Sequence, residues 1–219
     1  MWLPEGASTV APKVDQLFWV ILWITGAFFF IVQAGLLLFV LKYRHRPGGR
    51  AAYVHGNTWV EVVWTVIPSL ILLALTIVSR QVWAEIRYPE QAPATSIQAE
   101  ILAEQFAWNV RYPGPDGELE TEDDITALNE LHLPVGTPVK LTIRSKDVIH
   151  SFFVAEFRMK QDAVPGLPTQ VWVEATRPGQ FEIRCAELCG LGHYRMRGFV
   201  TTEPLVDFQK WLAETKANE

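Results

Sequence analysis

Cysteine and histidine, the residues that most often hold metals and haems, are scarce in this chain. Its 219 residues include two cysteines and five histidines. No Cys-x-x-Cys-His sequence is present, which excludes the usual covalent attachment of haem. The two long apolar stretches contain no histidine pair that would ligate a haem. A haem site within this chain is therefore not expected, and its two cysteines can form one disulfide at most.

Charge is missing from two long stretches in the N-terminal half. Residues 17–41 contain no charged side chain, and as a helix this run would be about 37 Å long, enough to cross a ~30 Å hydrocarbon core. Residues 62–79 form a second uncharged run, near the lower limit for a span. Pro68 predicts a kink within it, and Trp59 and Trp83 are expected at its interfaces. We therefore predict two transmembrane helices rather than a buried soluble hairpin.

Acidic residues are absent from the segment that joins these runs. Residues 42–58 contain four basic side chains and no acidic one, so the positive-inside rule predicts a cytoplasmic linker with both termini outside. The first sixteen residues lack the basic start of a signal peptide, so we expect either a processed N-terminus or an uncleaved first helix. Residues 90–219 carry 20 acidic and 12 basic side chains, and the two halves are therefore expected to face different surroundings.

The densest group of potential metal ligands lies in Cys185-Ala-Glu-Leu-Cys189-Gly-Leu-Gly-His193-Tyr-Arg-Met196. Two thiols, an imidazole and a thioether suit copper. A structural zinc site would use cysteine and histidine alone, and a mononuclear blue-copper site uses one cysteine, two histidines and a weak methionine. The second cysteine therefore favours a dinuclear copper centre bridged by two thiolates.

Two other interpretations of this segment remain open. Its four donor side chains would share one face of a helix and form a buried stripe, although Gly190 and Gly192 favour a loop. Cys185 and Cys189 would alternatively form a disulfide. A dinuclear site also needs a second imidazole, and His150, which follows a strand-like run, is the best candidate. A single histidine in such a place is more often a packed or surface side chain, but the sulfur-rich loop favours ligation.

Three separate segments of the sequence are best considered together. They are Asp147-Val-Ile-His150-Ser, Lys160-Gln-Asp162-Ala-Val-Pro-Gly166 and the stretch from Cys185 to Met196. Together they resemble subunit II of the haem–copper oxidases, the subunit that carries the copper A centre. The resemblance extends into the N-terminal half and covers nearly the whole chain, and the two-part ligand pattern is highly specific.

The resemblance implies a role for each potential ligand. Cys185 and Cys189 would bridge two copper ions, giving two ions per chain. His150 and His193 would bind one ion each, and Met196 would be a weak ligand to one of them. Such a centre relays electrons and offers no open position for a substrate.

Two glutamates have further roles that the resemblance implies. Glu187 would coordinate copper through its backbone carbonyl, and its carboxylate would help to hold Mg²⁺ at an interface with a partner subunit. Glu61 lies in Thr58-x-x-Glu61, which by itself predicts a capping box at a helix start. The family has a glutamate here at the cytoplasmic mouth of a proton channel that leads into subunit I.

Short strand-like runs separated by turns begin near residue 96. The predicted strands are residues 96–103, 105–112, 130–133, 139–144, 150–154, 170–175, 179–184 and 198–202, followed by a terminal helix over residues 204–217. Many short strands predict a sandwich or barrel, and the resemblance implies a cupredoxin-like Greek-key barrel.

The predicted organisation is a transmembrane helical hairpin followed by this all-β domain. Its parts are an outer N-terminal segment (1–16), the hairpin (17–88), a linker (89–95) and the copper A domain (96–219).

Two features bear on the electron donor. The acidic run 118–124 is either a solvated loop or a docking surface for a basic partner such as cytochrome c. Gln105-Phe106-Ala107-Trp108 matches the family's aromatic segment for electron entry, but relatives served by soluble cytochrome c commonly have tryptophan at the position of Phe106. Core packing is expected for Trp108. A membrane-bound or fused cytochrome therefore remains an alternative donor.

The resemblance implies an electron-transfer subunit of a respiratory haem–copper oxidase, in which electrons pass from a cytochrome c-type donor to haems of subunit I that reduce oxygen to water. Expected partners are subunit I, other membrane subunits, the donor and the lipid bilayer of a cell or inner mitochondrial-type membrane, but not nucleic acid. The alternatives are a copper A subunit of a related nitric oxide reductase, a membrane-tethered copper-binding module, and a structural module closed by a disulfide.

Overall fold

Two long helices open the fold. The computed structural model describes residues 3–50, 52–87, 93 and 97–217. The helices are α1 (Ala11–Lys42) and α2 (Thr58–Arg87), and each contains an 18-residue window with a mean hydropathy above 2 and no buried residue. Exposed apolar helices of this length are stable where lipid or partner helices cover them. The structure confirms both predicted helices, and Pro68 lies inside α2 without ending it.

The start of α2 differs from the prediction by one residue. Asn57 Oδ1 accepts hydrogen bonds from the backbone N–H groups of Trp59 (3.0 Å) and Val60 (3.4 Å), so Asn57 is the N-cap and Thr58 is the first helical residue. The predicted capping box from Thr58 to Glu61 is therefore wrong, although Glu61 does lie in the first turn. Asparagine and threonine are both competent N-caps, so the sequence pattern alone did not distinguish them.

Among the residues that the structure describes, ten strands form two five-stranded sheets. In chain order they are β1 (Ile97–Glu104), β2 (Ala107–Tyr112), β3 (Ile125–Leu128), β4 (Glu130–Pro134), β5 (Pro138–Ser145), β6 (His150–Val154), β7 (Met159–Ala163), β8 (Thr169–Glu174), β9 (Gly179–Cys185) and β10 (Arg197–Glu203). The first sheet has the order β3-β2-β1-β5-β8 and the second has the order β4-β10-β9-β6-β7. Successive strands repeatedly change sheet, as in Greek-key sandwiches, which confirms the predicted cupredoxin-like class.

The core lies between the two sheets and follows the two-residue period of the strands. In β5, for example, Val139, Leu141 and Ile143 are buried while the intervening residues are not. Phe152 and Ile183 of the second sheet belong to the same apolar cluster. Helix α3 (Leu205–Ala217) matches the predicted terminal helix and buries Phe208.

The sequence prediction misses β3 and β7 for different reasons. β3 has only four residues, and β7 places three polar residues between the buried Met159 and Ala163. Neither strand shows the alternating pattern on which strand prediction depends. The predicted linker 89–95 lies outside the described residues except for Pro93.

The N-terminal residues pack on the β-domain. Ala7 N donates to Glu156 O (2.8 Å), Thr176 N donates to Ala7 O (3.0 Å) and Ser8 Oγ donates to Phe157 O (2.9 Å). Ala7 is fully buried in the core of the domain. The structure accordingly divides into two compact units, one formed by Met1–Val14 with Trp83–Glu219 and the other by Asp15–Val82.

Candidate metal centre

Three neighbouring strands of the second sheet bring the potential ligands to one end of the domain. His150 is the first residue of β6, and Cys185 is the last residue of β9. β6 and β9 pair side by side, with Phe152 opposite Cys185. The loop between β9 and β10, residues 186–196, ends at Met196 and contains a short 3-10 turn, His193–Arg195. We call this segment the metal loop.

Six donor atoms converge between β6 and the metal loop. Cys185 Sγ lies 3.7 Å from Cys189 Sγ and 3.2 Å from the carbonyl oxygen of Glu187. Cys189 Sγ lies 3.6 Å from Nδ1 of His193 and 3.7 Å from Sδ of Met196. The structure therefore brings together the donor atoms that the sequence predicts in the segment from Cys185 to Met196.

His150 joins this cluster from the other segment. Its Nδ1 lies 3.2 Å from Sδ of Met196 and 3.9 Å from Sγ of Cys185. The donor atoms of His150, Cys185 and Cys189 all lie within 4.8 Å of one another. His150 follows β5 by five residues and reaches the loop only through the sheet, so its place depends on the tertiary fold.

The two thiols are free and buried. Their sulfur atoms are 3.7 Å apart, well beyond the ~2.05 Å of a disulfide bond, so the disulfide alternative does not describe this structure. Burial and the neighbouring thiol of Cys185 raise the pKa of the Cys189 thiol to about 12. Thiolates in such a place need a cation to balance their charge, and a metal ion supplies it.

Asp147 orients His150. Its Oδ1 lies 2.8 Å from Nε2 of His150, so that nitrogen donates to the carboxylate while Nδ1 faces the sulfur atoms. Burial alone would raise the pKa of Asp147, but hydrogen bonds from His150 and from the amides of Gln105 and Val148 hold it below its usual value. Carboxylates commonly orient metal-binding histidines in this way. The sequence alone does not indicate this role for Asp147, although Asp147 lies three residues before His150.

The donor set fits a soft metal ion. It offers two thiols, two imidazoles, one thioether and one carbonyl, and thiolates and thioethers favour copper over calcium or magnesium. Of these residues, His150, Cys189 and Met196 are almost completely buried, which excludes water from the ligand atoms. Buried metal-free thiols would tolerate this environment only when protonated, so the arrangement suits a metal that displaces their protons.

The two aromatic residues proposed for electron entry lie at different depths. Phe106 is 38% exposed, and a Cβ built on Gly192 would lie only 2.5–2.7 Å from its ring atoms. The Phe106 ring therefore lies directly on the metal loop. Trp108 is fully buried, as expected for core packing, and contacts the rings of His150 and Phe152 edge to face.

The acidic run 118–124 leaves β2 at the end opposite to Phe106. It follows the end of β2, whereas Phe106 precedes the beginning of β2, and a strand of six residues is about 17–20 Å long. Two of its acidic side chains are paired within the domain: Glu120 with Arg144 (2.7 Å) and Asp124 with Arg111 (3.4 Å). Part of its charge is therefore neutralised by the domain itself.

Taken together, the two apolar helices, the two packed sheets and the sulfur-rich donor cluster define a membrane-anchored, cupredoxin-like protein with a candidate soft-metal centre. Residues 1–82 match the family described as cytochrome c oxidase subunit II, transmembrane domain, and residues 105–202 match cytochrome c oxidase subunit II, periplasmic domain. The chain belongs to the cytochrome c oxidase subunit II family, and it is therefore a two-span membrane subunit of an oxidase complex.

Individual relatives agree with this assignment. The alternative cytochrome c oxidase subunit 2 of Bradyrhizobium diazoefficiens is 35% identical over 98% of this chain and 84% of its own length. The cytochrome c oxidase subunit 2 of Thermostichus vulcanus is 34% identical over 98% of this chain and 79% of its own length. A crystal structure of the periplasmic domain of subunit II of cytochrome oxidase of Bradyrhizobium japonicum has a TM-score of 0.52 and 25% identity, covering 58% of this chain and 98% of that chain. Family membership implies an electron-transfer subunit with a copper A centre.

Proposed function

We propose that this chain is the electron-relay subunit of a respiratory haem–copper oxidase. In this role it accepts electrons from a cytochrome c-type donor at a dinuclear copper centre and passes them to the haems of subunit I, where oxygen is reduced to water. The observation that supports this proposal most strongly is the convergence of two thiols, two imidazoles, a thioether and a carbonyl from two separate segments.

Each of these residues would have a distinct role in holding copper. The thiolates of Cys185 and Cys189 would each contact both ions, while the imidazoles of His150 and His193 would each contact one. Met196 would complete the set together with the carbonyl oxygen of Glu187. When bound, the two ions would supply a reversible one-electron site.

The protein itself would keep that site rigid and dry. Cys185 is fixed by the pairing of β9 with β6, and its N–H donates to Met196 O (3.3 Å). Asp147 fixes the ring of His150. Ligands that are already in place move little when the charge of the site changes, which supports fast electron transfer.

We further propose that the donor docks on the exposed surface around the metal loop. Leu191 is 95% exposed and Tyr194 is 82% exposed, and both lie beside Phe106. An exposed apolar surface of this kind suits a transient encounter. The acidic run 118–124 would then contribute long-range attraction rather than direct contact.

Two other residues are proposed to serve the complex. Glu187 is exposed although its carbonyl faces Cys185, so its carboxylate is available to a Mg²⁺ ion shared with a partner subunit. Glu61 lies in the first turn of α2 beside the basic linker, which supports a place at the membrane edge where protons enter subunit I.

The proposed topology has the β-domain and the N-terminus outside the membrane and the basic linker in the cytoplasm. The contacts of Ala7 and Ser8 with the β-domain support this topology, because two spans return the chain to the side where it began. The proposed domain limits are those predicted from the sequence, with residues 3–14 packed on the copper domain.

A kinetic experiment on the assembled complex tests the proposal. Cys189→Ser should abolish rapid reduction of the haems by reduced cytochrome c, while dithionite should still reduce them. Val206→Ala, at an exposed position of α3 outside the metal loop, serves as the control and should retain the reaction. Rapid haem reduction by cytochrome c in the Cys189→Ser complex would contradict an obligatory relay through this site.

A further inference from the structure

We propose that Gln105 is a positioning residue that holds the middle of the metal loop in place and thereby sets the symmetry of the metal centre. This inference rests on the dinuclear copper centre proposed above. Gln105 lies in the turn between β1 and β2, in the first sheet, whereas the ligands are carried by the second sheet and its loop.

Gln105 joins the two ligand-bearing segments through two hydrogen bonds. Its backbone N–H donates to Oδ2 of Asp147 (2.7 Å), whose other oxygen accepts from His150. Its side-chain Nε2 donates to the carbonyl oxygen of Cys189 (2.5 Å). One residue therefore connects the histidine segment with the cysteine loop without itself being a ligand.

The glycines of the metal loop make this close approach possible. Gly190 has a φ of +134°, and a Cβ built there would lie 2.7 Å from Nε2 of Gln105. At Gly192 a Cβ would overlap the ring of Phe106. A side chain at either position would therefore displace the Gln105 amide or the Phe106 ring from the loop.

The two cysteines are held by different means. Cys185 is the end of a paired strand, whereas Cys189 lies in the middle of the loop. The hydrogen bonds that follow Cys189 along the chain stay within the loop: His193 N donates to Gly190 O, and Met196 N donates to His193 O. The bond from Gln105 ties the Cys189 backbone to the rest of the domain. Losing it should free Cys189 and His193 while leaving Cys185 and His150 in place.

The turn that carries Gln105 is anchored by the strands that it joins. The strands on either side of it pair antiparallel, with Glu104 opposite Ala107 and Ala103 opposite Trp108, and Lys146 N donates to Ala103 O (2.9 Å). The side-chain amide of Gln105 therefore links the metal loop to the first sheet.

The experiment uses the full chain in detergent, loaded with copper, and compares Gln105→Leu and Gln105→Glu with the parent. Both variants remove the side-chain N–H donor to Cys189 O and keep the backbone N–H that donates to Asp147, and the glutamate variant retains the size of the side chain. Asn109→Leu is the matched control, because Asn109 Nδ2 also donates to a backbone carbonyl, that of Leu102 (3.3 Å), on the same pair of strands.

Electron paramagnetic resonance and copper titration provide the readouts. We expect both Gln105 variants to bind copper about 10- to 100-fold more weakly, as is usual when a partner of a ligand is lost. The hyperfine pattern should change from equal to unequal coupling to two copper nuclei. Asn109→Leu should match the parent in both measurements.

The outcomes separate this inference from the proposal on which it rests. A parent chain without a two-copper signal would overturn the copper A assignment itself. A parent with that signal, together with Gln105 variants of unchanged affinity and unchanged symmetry, would overturn the positioning role alone. Equal losses in Gln105→Leu and Asn109→Leu would also overturn it, because they would indicate a general effect on the sheet.

Discussion

Substitution of Gly192 by alanine tests how tightly Phe106 packs on the metal loop. The new Cβ would lie 2.5–2.7 Å from three atoms of the Phe106 ring, about 1 Å closer than ordinary carbon contacts. Overpacking of this kind costs about 1–3 kcal/mol. Phe106 is partly exposed, so the ring can move outward, and we expect the lower half of this range.

Hydrogen exchange of the metal-free full chain measures this cost locally. A loss of about 1–2 kcal/mol in loop stability should accelerate exchange of the amides in residues 186–196 by about 5- to 30-fold, with no change in the amides of α3. In the Phe106→Ala background, which lacks the overlapping ring, Gly192→Ala should cost less protection than it does in the parent chain.

Two results would refute this reasoning. Unchanged exchange in Gly192→Ala would mean that the ring does not lie on the loop. An equal effect of Gly192→Ala with and without Phe106 would mean that the loop backbone, rather than the ring, accounts for the cost.

Three further predictions follow from the same site and from the N-terminal segment. Because the pKa of the Cys189 thiol is raised to about 12, copper must displace its proton, so copper affinity should fall at least about tenfold for each pH unit lost. A pH-independent titration between pH 8 and 6 would contradict this. Asp147→Ala removes the partner of His150 and should weaken copper binding about 10- to 100-fold, whereas the exposed Asp116→Ala should bind copper normally. Ala7→Trp overfills a fully buried position and should accelerate hydrogen exchange of the amides of residues 7 and 176, which donate to Glu156 O and to the carbonyl oxygen of residue 7, whereas Glu5→Gln, at an exposed position, should not.

The elements that the sequence predicts best are those with a strong local signal. The apolar runs of α1 and α2 and the alternating residues of β5 are visible without any tertiary information. β7 is held by its pairing with β6, with Ser151 opposite Asp162, and its own residues give no such signal. The N-cap of α2 is also hard to predict from the sequence, because Asn57 and Thr58 are neighbours and both are good N-cap residues.

The potential ligands are predictable because their residue types are rare and closely spaced. Cys185, Cys189, His193 and Met196 lie within twelve residues, and their convergence needs only a compact loop. The hydrogen bonds around these ligands cannot be predicted in the same way. Gln105 is 84 positions from Cys189, and the partnership depends on how the turn between β1 and β2 lies over the loop, which only the assembled sheets determine.

Electron paramagnetic resonance with metal analysis on the full chain, loaded with copper and oxidised, tests the central claim most directly. The full chain is needed because Ala7 and Ser8 form part of the β-domain. We predict two copper ions per chain and a spectrum in which one unpaired electron couples to both nuclei. A mononuclear copper signal, a preference for zinc, or a Cys185–Cys189 disulfide that excludes metal would contradict the proposed relay.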